Sequence, residues 1–378
     1  MKHFLCAALA IVSAVSAAGA MAARAAEIEL VAPTNGATVS LLSPSQKLWR
    51  EATRESRNEF LVGKTPQMRK ISRKPCPVRL EWTGSGETFN VRVAKRGSGD
   101  TWFQAEVRTN VVEVWNLEVA RIYDWEVRGG GNCAKGSFRT EDAAPRVIVI
   151  PKSDGSVRDR NMRDIGGIVV AGRRVKQGMV FRSGSLNDNA KQENGKPVAA
   201  GSHVLTKDGL SYMRDRLGIK TDLDLRTDWE CFGMTGSPLG EGVAWTHIPA
   251  TAYSRMFGSR GKAACGKCLR LFLDEANYPI DIHCHGGVDR TASLVVILQG
   301  ILGFPEDEIW QDYQFSSSKS GFSPKAGSKC LQTFSKFLKG FDQYDGTTLD
   351  ERIRKYVVDL GFTEADIEKL RTILLEEK

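Results

Sequence analysis

The sequence predicts two folded parts, an all-β sandwich followed by an α/β domain with a largely parallel central sheet flanked by helices. Three observations predict this division. Residues 27–145 alternate apolar and polar residues with a period of two, whereas strand-like and helical patterns interleave from about residue 147. The chain of 378 residues is also too long for one ordinary core. We therefore predict domains at 27–145 and 147–378, preceded by a processed segment at 1–25.

The first 25 residues have the features of a secretory signal peptide. Lys2 precedes an Ala-rich apolar run that ends in small residues suited to cleavage, at Ala18-Gly19-Ala20 and Ala23-Arg24-Ala25. The run is shorter than the ~20 apolar residues that a membrane span needs, which disfavours an anchor. We expect a secreted or periplasmic protein with no transmembrane segment once the signal peptide is removed.

The charge favours an anionic partner. The formal net charge of +8 falls by two, to +6, when Lys2 and Arg24 leave with the signal peptide. No block rich in lysine or arginine stands out, and a secreted protein rarely meets nucleic acid. We therefore expect a phosphorylated substrate and no nucleic-acid partner.

Seven cysteines follow the signal peptide. In an oxidising compartment an odd number indicates structural pairs and one free thiol. Cys284 is the candidate for the free thiol, and Cys76 and Cys133 form a candidate pair in the first domain. The connectivity of the others stays open, and the single C-x-x-C at Cys265 and Cys268 is a weak sign of redox chemistry or zinc. The seven are Cys76, Cys133, Cys231, Cys265, Cys268, Cys284 and Cys330.

The first domain contains regular strand patterns separated by glycine-rich turns. Val78–Trp82, Phe89–Val93 and Tyr123–Val127 each alternate apolar and polar residues, which predicts half-buried antiparallel strands. The stretches PVRLEWTGSGETFNVRVA, RIYDWEVRG and GSFRT resemble a fibronectin type III domain, although the insert at 41–75 is long for one. No catalytic cluster lies here, so we expect a spacing or binding role.

The second domain follows a Pro- and Ala-containing linker, TEDAAPRVIVIP, at 140–151. GIKTDLDLR (218–226) and YPIDIHC (278–284) predict buried strands. Thr363 and Asp366 predict a variant of the capping box at the start of the last helix. The predicted helices are 291–302, 327–340 and 364–376.

The stretch DIHCHGGVDRTASL, residues 281–294, carries the candidate active site. It sets Cys284 six positions before Arg290, between a predicted strand and a predicted helix. Cleavage of a phosphate monoester without a metal needs an anionic nucleophile and donors that fit the transition state. Backbone amides at a helix N-terminus and an arginine lower the pKa of a thiol and cradle phosphate oxygens. Gly286 and Gly287 allow the loop to curl, whereas a buried structural cysteine needs no loop this polar.

The same stretch resembles the H-C-x-x-G-x-D-R-T signature of the protein tyrosine phosphatase superfamily. It is most similar to the secreted bacterial branch that acts on phosphotyrosine and sometimes on phosphoinositides. The resemblance spans about 147–378 and implies the cysteine-phosphatase fold and metal-independent hydrolysis through a phosphocysteine, with no cofactor. The supporting stretches, in the expected order, are NMRDIGG (161–167), VFRSGSL (180–186), TDLDLRTDWE (221–230), THIPA (246–250) and YVVDLGFTEADIEKLR (356–371).

The resemblance implies a role for each residue of the loop. Cys284 is the nucleophile and Arg290 binds and orients the phosphate, while His283 holds the loop and keeps the pKa of the thiol low. Thr291 supports the thiolate and the second step. The implied phosphate-binding residues are His285, Gly286, Gly287, Val288, Asp289 and Arg290.

The general acid is left open between carboxylates. No aspartate follows Pro249 in VAWTHIPATAYS, where many relatives carry one. Asp289, inside the loop, is the first candidate, and Asp224, at a strand end, is the second, although Asp224 can equally form a salt bridge with Arg226. The remaining carboxylates near these stretches are Asp222 and Asp228.

One departure from the family pattern bears on the substrate. Val288 stands where relatives of this branch carry lysine, which weakens the case for highly charged phosphoinositides, although a protonated His285 can replace that cation. We therefore favour a protein tyrosine phosphatase. The alternatives are a phosphoinositide or inositol polyphosphate phosphatase of the same fold and a non-catalytic protein that binds phosphorylated or glycan ligands.

Overall fold

A computed structural model describes the chain over residues 27–57, 74–152, 157–158, 160–201, 205–317 and 324–377. The predicted signal peptide at 1–25 lies outside these ranges. No helix within them is long and apolar enough to span a membrane.

The described residues form nineteen strands, many of them very short. Eight lie before residue 145: β1 (Glu29–Ala32), β2 (Ala37–Val39), β3 (Val78–Thr83), β4 (Phe89–Lys95), β5 (Thr101–Val107), β6 (Val111–Val114), β7 (Ile122–Gly129) and β8 (Asn132–Thr140). Eleven follow: β9 (Ile150–Pro151), β10 (Val157–Arg158), β11 (Arg163–Asp164), β12 (Val169–Val170), β13 (Arg173–Arg174), β14 (Val180–Gly184), β15 (Lys191–Glu193), β16 (Lys196–Val198), β17 (Thr221–Asp224), β18 (Ala244–His247) and β19 (Ile280–Cys284).

The described α-helices are α1 (Pro44–Glu51), α2 (Lys207–Ser211), α3 (Ser259–Leu271), α4 (Arg290–Leu302), α5 (Glu306–Ser317), α6 (Pro324–Lys339), α7 (Leu349–Asp359) and α8 (Glu364–Leu374). The three helices predicted in the second domain are confirmed as α4, α6 and α8. The capping box at the start of α8 is also confirmed, since the Thr363 hydroxyl accepts a hydrogen bond from the amide of Asp366.

The first eight strands form two sheets with a shared core. One sheet has the order β1-β3-β6, and the other has the order β2-β8-β7-β4-β5. The predicted alternation is confirmed in β4, where Phe89, Val91 and Val93 are buried and the residues between them are exposed. Trp82 of the first sheet meets Phe89 of the second edge to face at 5.5 Å, so the inner faces pack together.

The long insert differs from the all-β prediction, because it contains helix α1. Ser43 and Gln46 form a capping box at its start. Trp49 packs edge to face on Phe315 of α5 at 5.9 Å, and the buried Arg57 donates a hydrogen bond to Gln314 at 2.9 Å. The insert is therefore tied to the second part of the chain.

The predicted linker is also packed rather than free. Val147, Ile148, Val149 and Ile150 are all buried. Asn116 holds this segment from the first part of the chain, since its side chain donates to the carbonyl of Val149 at 2.8 Å. Burial of four consecutive apolar residues gives the segment a fixed position.

The central sheet of the second part has the order β11-β14-β19-β17-β18. Only β11 runs antiparallel to its neighbour, which confirms the prediction of a mixed α/β fold with a largely parallel sheet. Both predicted strands are present as β17 and β19, and each is buried along its whole length. Because parallel strands end at the same edge of a sheet, Cys284 at the end of β19 lies beside the ends of β14 and β17.

Candidate active site

The predicted phosphate loop, residues 284–290, connects β19 to α4. The Cys284 side chain is buried, and Arg290 occupies the first position of α4. The helix is apolar on all sides, and every residue after Arg290 is buried, so the core fixes its N-terminus beneath the loop. The N-terminal amides of α4 therefore lie at the place where a bound phosphate needs donors.

Three successive carbonyl groups of the loop are held outward. The amide of Ser185 donates to the carbonyl of His285 at 3.0 Å, and the Asn161 side chain donates to that of Gly286 at 3.0 Å. Arg182 donates to the carbonyl of Gly287 at 2.7 Å. Because a carbonyl and the next amide point to opposite sides of a trans peptide, the amides of residues 286–288 turn inward. Asn161 and Arg182 lie in the stretches NMRDIGG and VFRSGSL, but no role was predicted for either residue.

The two loop glycines are not equivalent. Gly287 has φ +66°, and a Cβ atom there would lie 2.2 Å from the carbonyl oxygen of Ser183. At Gly286 the nearest atom to such a Cβ is a Val288 methyl group at 3.5 Å, an ordinary contact. Both glycines were predicted to allow the loop to curl, but the loop conformation requires glycine at 287 alone.

The surroundings of Cys284 favour its thiolate. Burial raises the pKa of the thiol, but the Arg290 charge, the Thr291 hydroxyl and the amides of Thr291 and Gly287 lower it by more. The pKa of Cys284 therefore lies below its ordinary value. A larger fraction of the thiol is then ionised at neutral pH, as nucleophilic attack requires.

His283 lies under the loop among buried carboxylates. Its Nε2 is 2.7 Å from Oδ1 of Asp222, and its Nδ1 is 3.9 Å from Oδ1 of Asp224. Burial opposes the charge of the imidazolium, but Asp224 and Asp222 outweigh burial and raise the pKa of His283 to about 10. His283 is therefore a cation directly before the nucleophile, and the buried carboxylates beside it balance its charge.

Glu230 pairs with the arginine of the loop. Arg290 Nη1 lies 2.5 Å from Glu230 Oε2, and Nη2 lies 2.9 Å from Oε1. The amide of Thr227 donates to the same carboxylate at 2.8 Å. Partial burial raises the pKa of Glu230, but Arg290 and Thr227 lower it to about 2, so the pair is ionic. The sequence analysis missed Glu230, although it ends the quoted stretch TDLDLRTDWE.

The four aspartates considered as general acids occupy different surroundings. Asp289 is exposed at the mouth of the loop, and its Oδ1 accepts a hydrogen bond from the Tyr253 hydroxyl. Asp224 is fully buried in the salt bridge with Arg226 that the sequence analysis gave as its alternative, with atoms 2.7 Å apart.

The other two aspartates also lie away from the loop mouth. Asp222 is buried beside His283, and it accepts a hydrogen bond from the Ser237 hydroxyl at 2.6 Å. The side chain of Asp228 is 86% exposed. Of the four, only Asp289 lines the cleft above the loop.

Comparison with known proteins places this site in a family. The family model described as "Tyrosine phosphatase family" matches residues 158–376, which include the whole loop. The chain belongs to the tyrosine phosphatase family. It is accordingly a cysteine-based phosphatase.

Two solved structures show a weaker similarity to this phosphatase. The Siw14 catalytic core is 17% identical, with a TM-score of 0.27, and the match covers 42% of this chain and 79% of that one. The core catalytic domain of the PP-IP phosphatase SIW14 from S. cerevisiae, in complex with citrate, is 16% identical, with a TM-score of 0.24 and coverage of 43% and 88%. No curated protein matches the sequence.

The phosphate loop opens into a cleft of about 660 Å³. Its lining includes Thr227 and Glu230 from one segment of the chain, and residues 250–255 and Arg260 from another. Asp289 and Arg290 of the loop also line it. Residues 285–290 were predicted to bind phosphate through their main-chain amides; the side chains of His285, which is exposed, and of Val288, which is buried in the core, do not line this cleft.

The cysteines of this phosphatase differ from the pairing expected for an oxidising compartment. None of the seven described cysteines forms a disulfide bond. Cys265 and Cys268 lie on the buried face of helix α3, and burial raises the pKa of Cys265 to about 12. An apolar environment of this kind disfavours thiolates, so the C-x-x-C pair is part of the core rather than a redox or zinc site.

Proposed function

We propose that this phosphatase hydrolyses phosphate monoesters through a phosphocysteine intermediate on Cys284, with phosphotyrosine in proteins as its preferred substrate. The observation that carries the proposal is the arrangement of the loop. Its amides turn inward around a buried thiol of lowered pKa, and Arg290 closes it. This arrangement supplies both the nucleophile and the donors for a trigonal-bipyramidal phosphate.

In the first step the Cys284 thiolate attacks phosphorus, and the bond from phosphorus to the leaving oxygen breaks. Asp289 in its protonated form gives its proton to that oxygen, so the product leaves as a neutral alcohol or phenol. Arg290 holds two of the phosphate oxygens while charge redistributes. Glu230 fixes the guanidinium orientation before the substrate arrives, which lowers the entropy cost of reaching the transition state.

In the second step a water molecule attacks the phosphocysteine. The Asp289 carboxylate takes the proton of the water, the phosphorus–sulfur bond breaks, and inorganic phosphate leaves. The thiolate of Cys284 is restored, and the Thr291 hydroxyl and the loop amides stabilise it as a leaving group. Asp289 thus ends the cycle protonated, as it began.

The assignment of the acid to Asp289 follows from access. Asp289 is exposed in the cleft, where a leaving oxygen can reach it. Asp224 is enclosed in its salt bridge with Arg226. Burial raises its pKa, but His283 and Arg226 lower it by more. A carboxylate that stays ionised and out of reach cannot donate a proton, so Asp224 acts as a counter-ion in our proposal.

The depth of the site supports an aryl phosphate. The Cys284 side chain is 2% exposed, so a phosphate must enter the loop to reach it. The ring of phosphotyrosine carries its phosphate further from the peptide backbone than phosphoserine does. Trp229 and Phe232, which flank Glu230 in the sequence, are 47% and 44% exposed and stack on each other at 6.1 Å, which adds an apolar surface for a peptide.

The test is turnover of p-nitrophenyl phosphate by purified protein under reducing conditions, beside Cys284→Ser. We expect release of p-nitrophenol by the wild type and none by the variant. A panel of phosphotyrosine peptides, phosphoinositides and inositol phosphates then ranks the substrates by kcat/KM. No release by the wild type would mean that the protein only binds its ligand, and a higher kcat/KM for inositol phosphates would displace phosphotyrosine.

The cellular location and the first domain also remain part of the proposal. Secretion or export to the periplasm, as in the bacterial branch, rests on the signal-like residues 1–25. The fibronectin type III assignment rests on the quoted strands and on the two packed sheets. Sequencing of the mature N-terminus from an exported sample tests the first assignment.

A further inference from the structure

The cleft beside the phosphate loop carries two arginines that the reaction described above does not use. Arg255 and Arg260 both line the cleft that contains Asp289 and Arg290. Both side chains are exposed to solvent. In the part of the chain that the structure describes, neither forms an ion pair.

The other charged residues that line the cleft already have ion-pair or hydrogen-bond partners. Glu230 is bound by Arg290 in a fork of two hydrogen bonds, and Asp289 accepts the hydroxyl of Tyr253. Arg255 and Arg260 therefore keep their charge available for a ligand. Two cations that line a cleft attract and orient an anion there.

The position of these arginines is fixed relative to the phosphate loop. Tyr253 begins the 3₁₀ helix Tyr253–Phe257, which contains Arg255. Its hydroxyl donates to Asp289, and its amide donates to Ser293 of α4 at 2.8 Å. Tyr253 has φ +56°, an uncommon conformation that these contacts hold in place. Arg255 therefore lies on a segment anchored to the loop itself.

Arg260 adds to the positive potential from the following helix. It lies in the first turn of α3, where there is no acidic residue and where Gly258 supplies no side-chain cap. The N-terminus of a helix carries a partial positive charge, so an arginine in its first turn reinforces the positive potential. The cleft is thus electropositive along both segments.

We propose that Arg255 and Arg260 form a subsite for acidic side chains that flank the phosphotyrosine of a protein substrate. The inference rests on the function proposed above and names the sequence context that this function prefers. Val288 supplies no charge at the position where relatives of this branch carry lysine, so in our proposal a second anion of the substrate binds Arg255 and Arg260 instead. An acidic residue next to the phosphotyrosine of a peptide supplies such an anion.

The exposed aromatic pair favours the same class of substrate. Trp229 and Phe232 are exposed and flank Glu230 in the sequence, whereas Arg255 and Arg260 line the cleft from a different segment of the chain. A peptide offers both apolar and acidic side chains. A soluble polyphosphate offers only charge.

Two phosphotyrosine peptides test the subsite. They differ only in carrying aspartate or asparagine beside the phosphotyrosine, and the measured quantity is the ratio of kcat/KM for the acidic to the neutral peptide. This ratio cancels any effect that a substitution has on the chemistry shared by both peptides. We expect the ratio to fall by about threefold in Arg255→Ala and in Arg260→Ala, and by about tenfold in the double variant.

The control is Arg108→Ala, which removes an exposed arginine of the turn between β5 and β6 that does not line the cleft, and which should leave the ratio at its wild-type value. Raising the salt concentration reduces the wild-type ratio, because screening weakens exposed charge pairs. Equal kcat/KM for the two wild-type reactions, or a ratio that survives both substitutions, refutes the subsite alone. If the protein hydrolyses p-nitrophenyl phosphate but dephosphorylates neither peptide, the phosphotyrosine assignment is refuted. A higher kcat/KM for inositol hexakisphosphate or phosphoinositide vesicles than for the acidic peptide would show that the arginines bind a polyphosphate, and it would overturn the inference.

Discussion

The substitution Gly287→Ala tests the reasoning about the phosphate loop most directly. The added Cβ would lie 2.2 Å from the carbonyl oxygen of Ser183, well inside the 3.0 Å below which such contacts essentially do not occur. The residue would also have to keep φ +66°, which costs an L-residue about 1–2 kcal/mol. Ser183 belongs to β14, which pairs with β19, so the obstacle is backbone and not a flexible side chain.

The magnitude follows from these two contributions. Moving packed backbone to relieve an overlap costs about 1–3 kcal/mol. Added to the backbone cost, this gives a destabilisation of about 2–5 kcal/mol if the loop keeps its shape. A loop that instead shifts by about 1 Å loses about a hundredfold in rate, because the amides no longer fit the transition state.

The assay compares two neighbouring glycines. Gly287→Ala and Gly286→Ala are measured for kcat/KM on p-nitrophenyl phosphate and for free energy of unfolding in urea. We expect a large loss in activity, stability or both for Gly287→Ala, and values within about threefold of wild type for Gly286→Ala, whose Cβ has room. Full activity and stability in Gly287→Ala, or an equal loss in Gly286→Ala, would refute the reasoning.

Three further predictions concern charged residues. Asp289→Asn should lower kcat/KM by about a hundredfold and abolish the alkaline limb of its pH profile. Asp224→Asn should keep that limb but lose about 3 kcal/mol of stability, because it leaves a buried arginine unpaired. The reverse pattern would exchange the two roles. Glu230→Gln should raise KM and lower kcat/KM about tenfold by loosening Arg290, measured at fixed ionic strength; unchanged kinetics would contradict the pairing. The pKa of His283 is raised from 6.5 to about 10, so its contribution to stability is complete below pH 6.5 and is lost as the pH rises through 10. Urea titrations should show this fall in the free energy of unfolding for the wild type and not for His283→Asn.

Much of the fold could be predicted because its signals are local. Alternation of apolar and polar residues located β3, β4 and β7, and the apolar runs before and after Cys284 located β19 and α4. The helix in the insert at 41–75 was missed, because a short segment with a capping box carries little periodicity of its own. The packing of the linker was not predicted, because Pro145 and its neighbours resemble a loop, whereas contacts with both halves of the chain bury the residues that follow.

The candidate site could be located but not completed from the sequence. The spacing of Cys284 and Arg290 with the glycines between them indicated the loop and its chemistry. Glu230 and Tyr253 were missed, because nothing in their own neighbourhood shows that they contact a loop that is 36 to 60 positions away along the chain. Only the tertiary structure shows that such residues lie beside the loop.

By itself, the sequence predicted several of the strands and helices, and Cys284 and Arg290 as candidate nucleophile and phosphate-binding arginine, since each prediction depends on residues within one short segment. Tertiary structure decided which glycine is indispensable, which aspartate reaches the cleft and what holds Arg290. The reason is physical: Gly287 is constrained by the carbonyl of Ser183, and Asp289 accepts a hydrogen bond from Tyr253. These contacts arise only when β14, β19 and the 3₁₀ helix come together at one edge of the sheet.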